Sequence, residues 1–175
     1  LKAELRPLAE AYDFAALAHT FDVAFAAKTF TPRGYRTYRV AHELLMMPID
    51  GASYDVETMD EVLPAYEAWW RGNRTDPAAS ALYASALGMM GVSYRGRGVA
   101  DAVSDDGWDK LAAYSHQARS VLDHAAARGR SHWLWRKADM FVTFAAASVG
   151  IDDPEHLLPV FAGVQTLDPV EFGIY

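Results

Sequence analysis

The sequence predicts an all-α protein whose helices pair as antiparallel hairpins and stack into one array of about seven helices. The dipeptide Asp-Pro stands at three predicted helix starts, namely Asp76-Pro77, Asp153-Pro154 and Asp168-Pro169. An aspartate at the N-cap accepts a hydrogen bond from a free backbone N–H, and proline suits the first helical position because its missing donor has no partner there. The apolar stretches around these starts follow helical spacing, and almost nothing alternates as a β-strand does.

Two helices are predicted before residue 50. Asp13 is expected to cap a helix over residues 14–30 with an apolar face formed by Phe14, Leu17, Ala18, Phe21 and Phe25. Thr31-Pro32 predicts the start of the next helix, which runs to Met47. The positions of that helix predicted to face inward are Tyr38, Ala41, Leu44 and Leu45.

Thr58 and Glu61 are spaced as a capping box, which predicts a helix that ends at Gly72. Its inner stripe is predicted to contain Met59, Val62, Leu63, Tyr66 and Trp70. Pro64 lies well inside this stretch, so a start nearer Leu63 and a kink are both open alternatives. Asp76-Pro77 then opens a helix to about Tyr94, whose many alanines and glycines permit the close approach of a neighbouring helix.

An amphipathic stripe that begins at Trp108 predicts the next helix, which Gly129 stops. Ser131 is expected to cap an apolar helix through Val149, and short helices are expected to follow Asp153 and Asp168. Because no linker divides the chain, residues 1–175 are predicted to form a single domain.

Composition bounds the function classes. Half of the 175 residues are apolar, which argues against disorder, and the absence of cysteine excludes disulfides and cysteine-based zinc sites. The net charge of −7 argues against nucleic acid as a partner, and no apolar run is long enough to cross a bilayer. No signal peptide is visible, so a cytoplasmic location is expected, and the leucine in first place suggests that the native start lies upstream.

The common catalytic and metal-binding motifs are not found in the sequence. The chain has no G-x-S-x-G, no phosphate-binding glycine loop and no H-E-x-x-H, since His42-Glu43 is followed by two leucines. Its six histidines never recur at the helical spacing of metal ligands. The carboxylates at Asp105-Asp106 and at Asp152-Asp153 are typical of helix starts. No catalytic residue, metal site or cofactor is therefore predicted.

Three charged segments are candidates for binding. Residues 51–75 carry five acids, namely Asp55, Glu57, Asp60, Glu61 and Glu67, against Arg71 and Arg74, a net charge of −3. This excess suits a basic partner, although a surplus of surface charge is the alternative interpretation. Arginines at 33, 36 and 39 would line one side of a helix, either to bind phosphate or stack on a base, or to pair with Glu43 and Asp22 on a solvated face.

The third segment is the loop of residues 95–107, which is long for a link between helices. Arg95 and Arg97 stand between glycines, where their guanidinium groups can offer paired donors to a carboxylate or a phosphate. The alternative is an internal clasp in which they pair with Asp101, Asp105 or Asp106.

The same segment carries a family resemblance. Its residues are Trp69-Trp70, Asp76-Pro77-Ala78-Ala79, Ala81-Leu82, Arg95-Gly96-Arg97-Gly98, Val103, Gly107-Trp108, Ala118, Leu122 and Leu167-Asp168-Pro169. Over residues 57–175 the chain resembles a bacterial domain-of-unknown-function family that is similar to tetratricopeptide-repeat proteins. Leu87-Gly88 fits the repeat pattern, whereas Gly91 stands where that pattern expects a tyrosine. The resemblance implies helical hairpins stacked as in a repeat protein, and it brings no catalytic residues.

These observations favour a non-catalytic protein-binding module, most of all an inhibitor or immunity protein that sequesters a bacterial toxin domain of basic character. The predicted contact residues are Arg95, Arg97, Glu57, Asp60, Glu61, Glu67 and Trp69; whichever of Trp69 and Trp70 is exposed is the candidate hot spot. The alternative is an enzyme or ligand-binding protein with a pocket between helices, lined by Tyr94, Arg95, Arg97, Trp108 and His132.

Overall fold

A computed structural model describes residues 1–32, 34–48, 55–96, 99–151 and 153–168. These residues contain eight α-helices: α1 (Lys2–Glu10), α2 (Phe14–Ala27), α3 (Tyr38–Met46), α4 (Val56–Gly72), α5 (Pro77–Arg95), α6 (Asp105–Gly129), α7 (Trp133–Ala147) and α8 (Leu157–Leu167). Short 3-10 helices lie at Ala100–Ala102 and Pro154–His156. The described residues form no regular strand, so the all-α prediction is confirmed, with one helix more than expected.

The chain divides into two compact units, Leu1–Ser53 and Tyr54–Tyr175. The first contains α1 to α3 and the second contains α4 to α8. The division falls close to residue 57, where the family resemblance begins. The single domain predicted for residues 1–175 stays a prediction.

In the first unit, α1, α2 and α3 pack on one another around an aromatic core. The Tyr38 ring meets the Phe21 ring edge-on, with 5.4 Å between ring centroids, and both residues are buried. Asp13 caps α2 as predicted, because its Oδ1 accepts a hydrogen bond from the Ala16 N–H at 3.0 Å. Helix α1 was not predicted.

The predicted start of the second helix at Thr31-Pro32 is wrong, since α3 begins at Tyr38. Thr31 closes a turn instead: its N–H donates to the Tyr35 carbonyl at 2.7 Å, and its Oγ1 accepts from the Tyr35 N–H at 3.2 Å. Gly34 occupies the left-handed region at φ +81°, which suits this turn. A threonine hydroxyl serves a turn as readily as a helix cap, so its presence alone does not distinguish the two. The four inward residues predicted for this helix are all buried.

In the second unit α5 is the central helix, packed against α4, α6 and α7, while α7 also packs against α6 and α8. Asp76 caps α5 as predicted, with its Oδ1 accepting from the Ala79 N–H at 2.8 Å. The close approach predicted for α5 is confirmed. A Cβ atom placed on Gly91 would lie 3.2 Å from Leu111 Cα of α6, and one placed on Gly88 would lie 2.6 Å from the Phe141 ring of α7.

Two predicted caps are wrong. Helix α4 is capped by Asp55, whose Oδ1 accepts from the Thr58 N–H at 2.8 Å, and it runs through Pro64 to Gly72. The carboxylate of Asp55 lies one turn ahead of Thr58 and is the stronger acceptor, so the Thr58 capping box does not form. The Ser131 hydroxyl donates to the Arg128 carbonyl at 3.1 Å and so closes the end of α6 rather than the start of α7.

The C-terminal helices agree in part with the sequence. Asp153 precedes the 3-10 helix at Pro154–His156 and accepts from the Glu155 N–H at 2.9 Å. Asp168 follows the end of α8 and is buried, while the helix predicted after it falls on residues outside those described. Among the described residues, no helix combines the length and the apolar character that crossing a bilayer requires.

Candidate functional site

The outer side of α4 carries three carboxylates that we call the acidic face: Glu57, Asp60 and Glu61. Met59, Val62 and Tyr66 are buried and anchor the other side of the helix, which packs on α5. The helical period therefore turns the acidic face outward, and all three of its residues are exposed. Within the described part of the chain none of the three forms an ion pair.

Glu67 differs from the acidic face although it lies on the same helix. Its Oε1 accepts a hydrogen bond from Arg71 Nη2 at 2.7 Å, and its side chain is hydrogen-bonded to the Tyr83 hydroxyl of α5. Burial, followed by the negative charge of Glu67, raises the pKa of Tyr83 from 10.0 to about 12. Gln117 of α6 donates to the same hydroxyl oxygen at 3.3 Å. Glu67 is thus part of a polar link between three helices.

Trp69 and Trp70 are both half-buried, so they do not divide into one exposed and one core residue as predicted. The Trp70 ring lies 5.2 Å from the Tyr83 ring and meets the His124 ring edge-on at 5.5 Å. The Trp70 Nε1–H is buried and has no hydrogen-bond partner among the described residues. Trp70 therefore packs α4 onto α5 and α6.

The end of α5 and the start of α6 bring two predicted pocket residues, Arg95 and Trp108, together. The Arg95 guanidinium lies over the Trp108 ring at 5.0 Å, and Arg95 Nη1 donates to the Gly96 carbonyl at 3.1 Å. The Tyr94 ring stacks on the Tyr114 ring with 5.9 Å between centroids. Burial, then the neighbouring Tyr94 and Asp60, raises the pKa of Tyr114.

The rest of the predicted pocket is not assembled around these residues. Helix α6 is 25 residues long, about 37 Å at 1.5 Å per residue. Trp108 lies in its first turn, whereas His132 follows its end as the N-cap of α7. Arg97 lies outside the described residues. Arg95 makes no ion pair with an aspartate of the loop in the described part of the chain, so it does not form the predicted clasp.

The predicted helical row of arginines is not formed either. Arg36 precedes α3; its Nη1 donates to the Lys28 carbonyl at 2.7 Å, and its guanidinium lies 4.4 Å from the Phe30 ring centroid. Arg39 is the member of the row on α3, and Arg33 lies outside the described residues. Within the described ranges no group of three or more histidines and carboxylates could hold a metal ion.

One polar site was missed by the sequence reasoning. A cleft of about 450 Å³ is lined by residues of α6, α7 and the region around α8. It contains Arg119, which is half-buried. Arg119 Nη1 donates to the buried Asp139 carboxylate and Nη2 donates to the Thr143 hydroxyl at 2.6 Å. No local signal links Arg119 to partners twenty and twenty-four residues away.

Comparison with known proteins gives no relative from which a role is transferred. The resemblance to a family similar to tetratricopeptide-repeat proteins stays a prediction. No family model, no curated protein and no solved structure matches this chain.

Proposed function

We propose that this chain is a non-catalytic protein-binding module of the inhibitor or immunity type, which sequesters a basic partner such as a bacterial toxin domain. The observation that carries the proposal is the acidic face, where Glu57, Asp60 and Glu61 are exposed and form no ion pair with the described residues. Unpaired carboxylates on one side of a helix attract a positively charged surface and speed its approach.

The anchoring of α4 supports the same proposal. Asp55 caps the helix, and Glu67 and Trp70 join its C-terminal half to α5 and α6. A surface held in its binding conformation loses little entropy when a partner docks. Trp69, half-exposed near the end of α4, adds an aromatic side chain of the kind that dominates binding energies.

The helix neighbours are compatible with a stack of hairpins. Helix α5 packs on its hairpin partner α6 and on α7, which in turn packs on α8. A tetratricopeptide-like array and a cytoplasmic location belong to the proposal, as do Arg95 and Arg97 as additional contacts. The net charge of −7 disfavours nucleic acid as the partner.

The alternative was an enzyme or ligand-binding pocket at the loop after α5. It has less support, because the Arg95 guanidinium is stacked on the Trp108 ring and His132 lies beyond the far end of α6. Tyr94 is similarly engaged by Tyr114.

The test compares three forms of the chain as bait in extracts of the native host, with cross-linking and mass spectrometry. The first is the unaltered chain, the second carries Glu57→Gln, Asp60→Asn and Glu61→Gln, and the third carries Asp101→Asn, Asp106→Asn and Asp109→Asn. The last three residues are exposed acids near the start of α6, so both variants lose the same charge.

The proposal expects a stoichiometric basic protein that cross-links to α4. The variant with three substitutions on α4 should capture at least tenfold less of this protein, whereas the variant with substitutions near the start of α6 should capture as much as the unaltered chain. Co-expression of the chain should also abolish the toxicity of that protein. Absence of any stoichiometric partner, or equal loss of capture in both variants, contradicts the proposal.

A further inference from the structure

The cleft between α6, α7 and the region of α8 has a fixed floor. Asp139 and Thr143 are buried and hold the Arg119 guanidinium. Trp135 Nε1 donates to the Leu122 carbonyl at 3.1 Å, so the buried indole is held against α6. A Cβ atom on Gly129 would clash with Trp135 Cγ, which shows how closely the indole fits. The floor is therefore preorganised, and the charge of Arg119 is already matched by Asp139.

The mouth of the cleft is different, because two arginine side chains there carry N–H donors that make no hydrogen bond with the described residues. Arg136 Nε donates to the Arg130 carbonyl at 2.8 Å, which fixes the guanidinium but leaves both of its Nη groups without a hydrogen bond in the described part of the chain. Gly163 of α8 makes room for this group, since a Cβ atom there would lie 3.1 Å from Arg136 Cζ. The exposed Arg130 side chain also has no partner among the described residues.

The charge balance of the lining is positive in a chain that is acidic as a whole. Three arginines, Arg119, Arg130 and Arg136, face two carboxylates, Asp123 and Asp139. Because Arg119 and Asp139 neutralise each other, Arg130 and Arg136 are opposed by Asp123 alone. His156 also lines this cleft.

We propose that this cleft binds a small molecule that carries a carboxylate or phosphate group, with Arg130 and Arg136 as its ligands. A guanidinium offers parallel N–H donors that match the oxygens of either anion, and the half-buried position of Arg136 strengthens such charge-assisted bonds. The volume of about 450 Å³ suits a small metabolite. The site is separate from the acidic face, so it stands or falls independently of the proposed function.

The test is a titration of the ¹⁵N-labelled chain with inorganic phosphate and, in a parallel arm, with succinate, at constant ionic strength kept by chloride. All five tryptophans give an indole N–H signal, and that of Trp135 reports on the floor of the cleft. We expect a saturable shift of the Trp135 signal in one arm or both. The arm that responds identifies the group as phosphate or carboxylate.

Arg130→Gln and Arg136→Gln should each weaken this binding at least fivefold, whereas Arg128→Gln should leave it within a factor of two. Arg128 is an exposed arginine near the end of α6 that does not line the cleft, so Arg128→Gln controls for the loss of one positive charge. Arg136→Gln also removes a bond to the backbone, whereas Arg130→Gln breaks no bond of the described residues and separates binding from folding. Shifts that do not saturate, or equal weakening in Arg128→Gln, would overturn the proposal.

Discussion

The acidic face of α4 and the cleft beside α6 deal with charge in opposite ways. On α4, three carboxylates within five residues of sequence point into water and are solvated there. In the cleft, Arg119 meets Asp139 and Thr143 from another helix, and the protein itself replaces the lost solvent. The comparison shows that the three carboxylates of the acidic face are a surface feature, whereas Arg119 and Asp139, twenty residues apart, hold two helices together.

The largest effect should come from breaking the cleft network. Asp139→Ala leaves the Arg119 guanidinium half-buried without its counter-charge, which should lower the free energy of unfolding by about 2–3 kcal/mol, less than for a fully buried pair because Arg119 retains solvent contact. Glu57→Ala on the acidic face should change it by less than about 0.5 kcal/mol. Denaturant unfolding followed by tryptophan fluorescence measures both, since every tryptophan lies in the second unit.

Thr143→Val is the graded control for this prediction. It keeps the shape of the side chain and removes one hydrogen bond to Arg119, so a loss of about 1 kcal/mol is expected. If Asp139→Ala and Glu57→Ala proved equally mild, the contrast between the two regions would be wrong.

A smaller change in the free energy of unfolding should show whether Asp55 or Thr58 caps the start of α4. Asp55→Ala removes the carboxylate that accepts from the Thr58 N–H and should destabilise the second unit by about 1 kcal/mol. Thr58→Ala removes the side chain of the predicted capping box, which caps nothing in the structure, and should cost under about 0.5 kcal/mol. Unfolding midpoints at equal m-values measure the difference, and a reversed order would restore the capping box.

The smallest effect at neutral pH concerns the polar link between α4 and α5. Because the pKa of Tyr83 is raised from 10.0 to about 12, the unfolded chain loses this proton first as the pH rises. The stabilising contribution of the neutral Tyr83 hydroxyl should be complete below pH 10 and should disappear between about pH 10 and 12. Tyr83→Phe should flatten that decline, whereas Tyr35→Phe, at an exposed tyrosine, should not.

Absorbance titration of the folded chain tests the cause. Glu67→Gln should bring the pKa of Tyr83 partly back towards its ordinary value, because the charge of Glu67 is the second cause after burial. If Glu67→Gln leaves the titration unchanged, burial alone accounts for the raised pKa of Tyr83.

The sequence predicted most where the physics is local. Asp13 and Asp76 cap helices because a carboxylate three residues ahead of a free N–H needs no distant partner. Prediction failed at Thr31, where a hydroxyl serves a turn, and at Thr58, where Asp55 competes from one turn earlier. At Thr31 a turn and a helix cap were both possible, and at the start of α4 two residues could act as the cap. The residue types alone did not show which of the two would form.

For the candidate sites the same distinction holds. The sequence alone determined most of the helices, the buried face of α3 and the excess of carboxylates in residues 51–75, because helical period and charge are properties of neighbouring residues. Only the tertiary structure decided that Arg119 of α6 would meet Asp139 and that it would also meet Thr143 of α7. Those arrangements depend on how whole helices pack, and packing depends on shapes that contact each other across long stretches of chain.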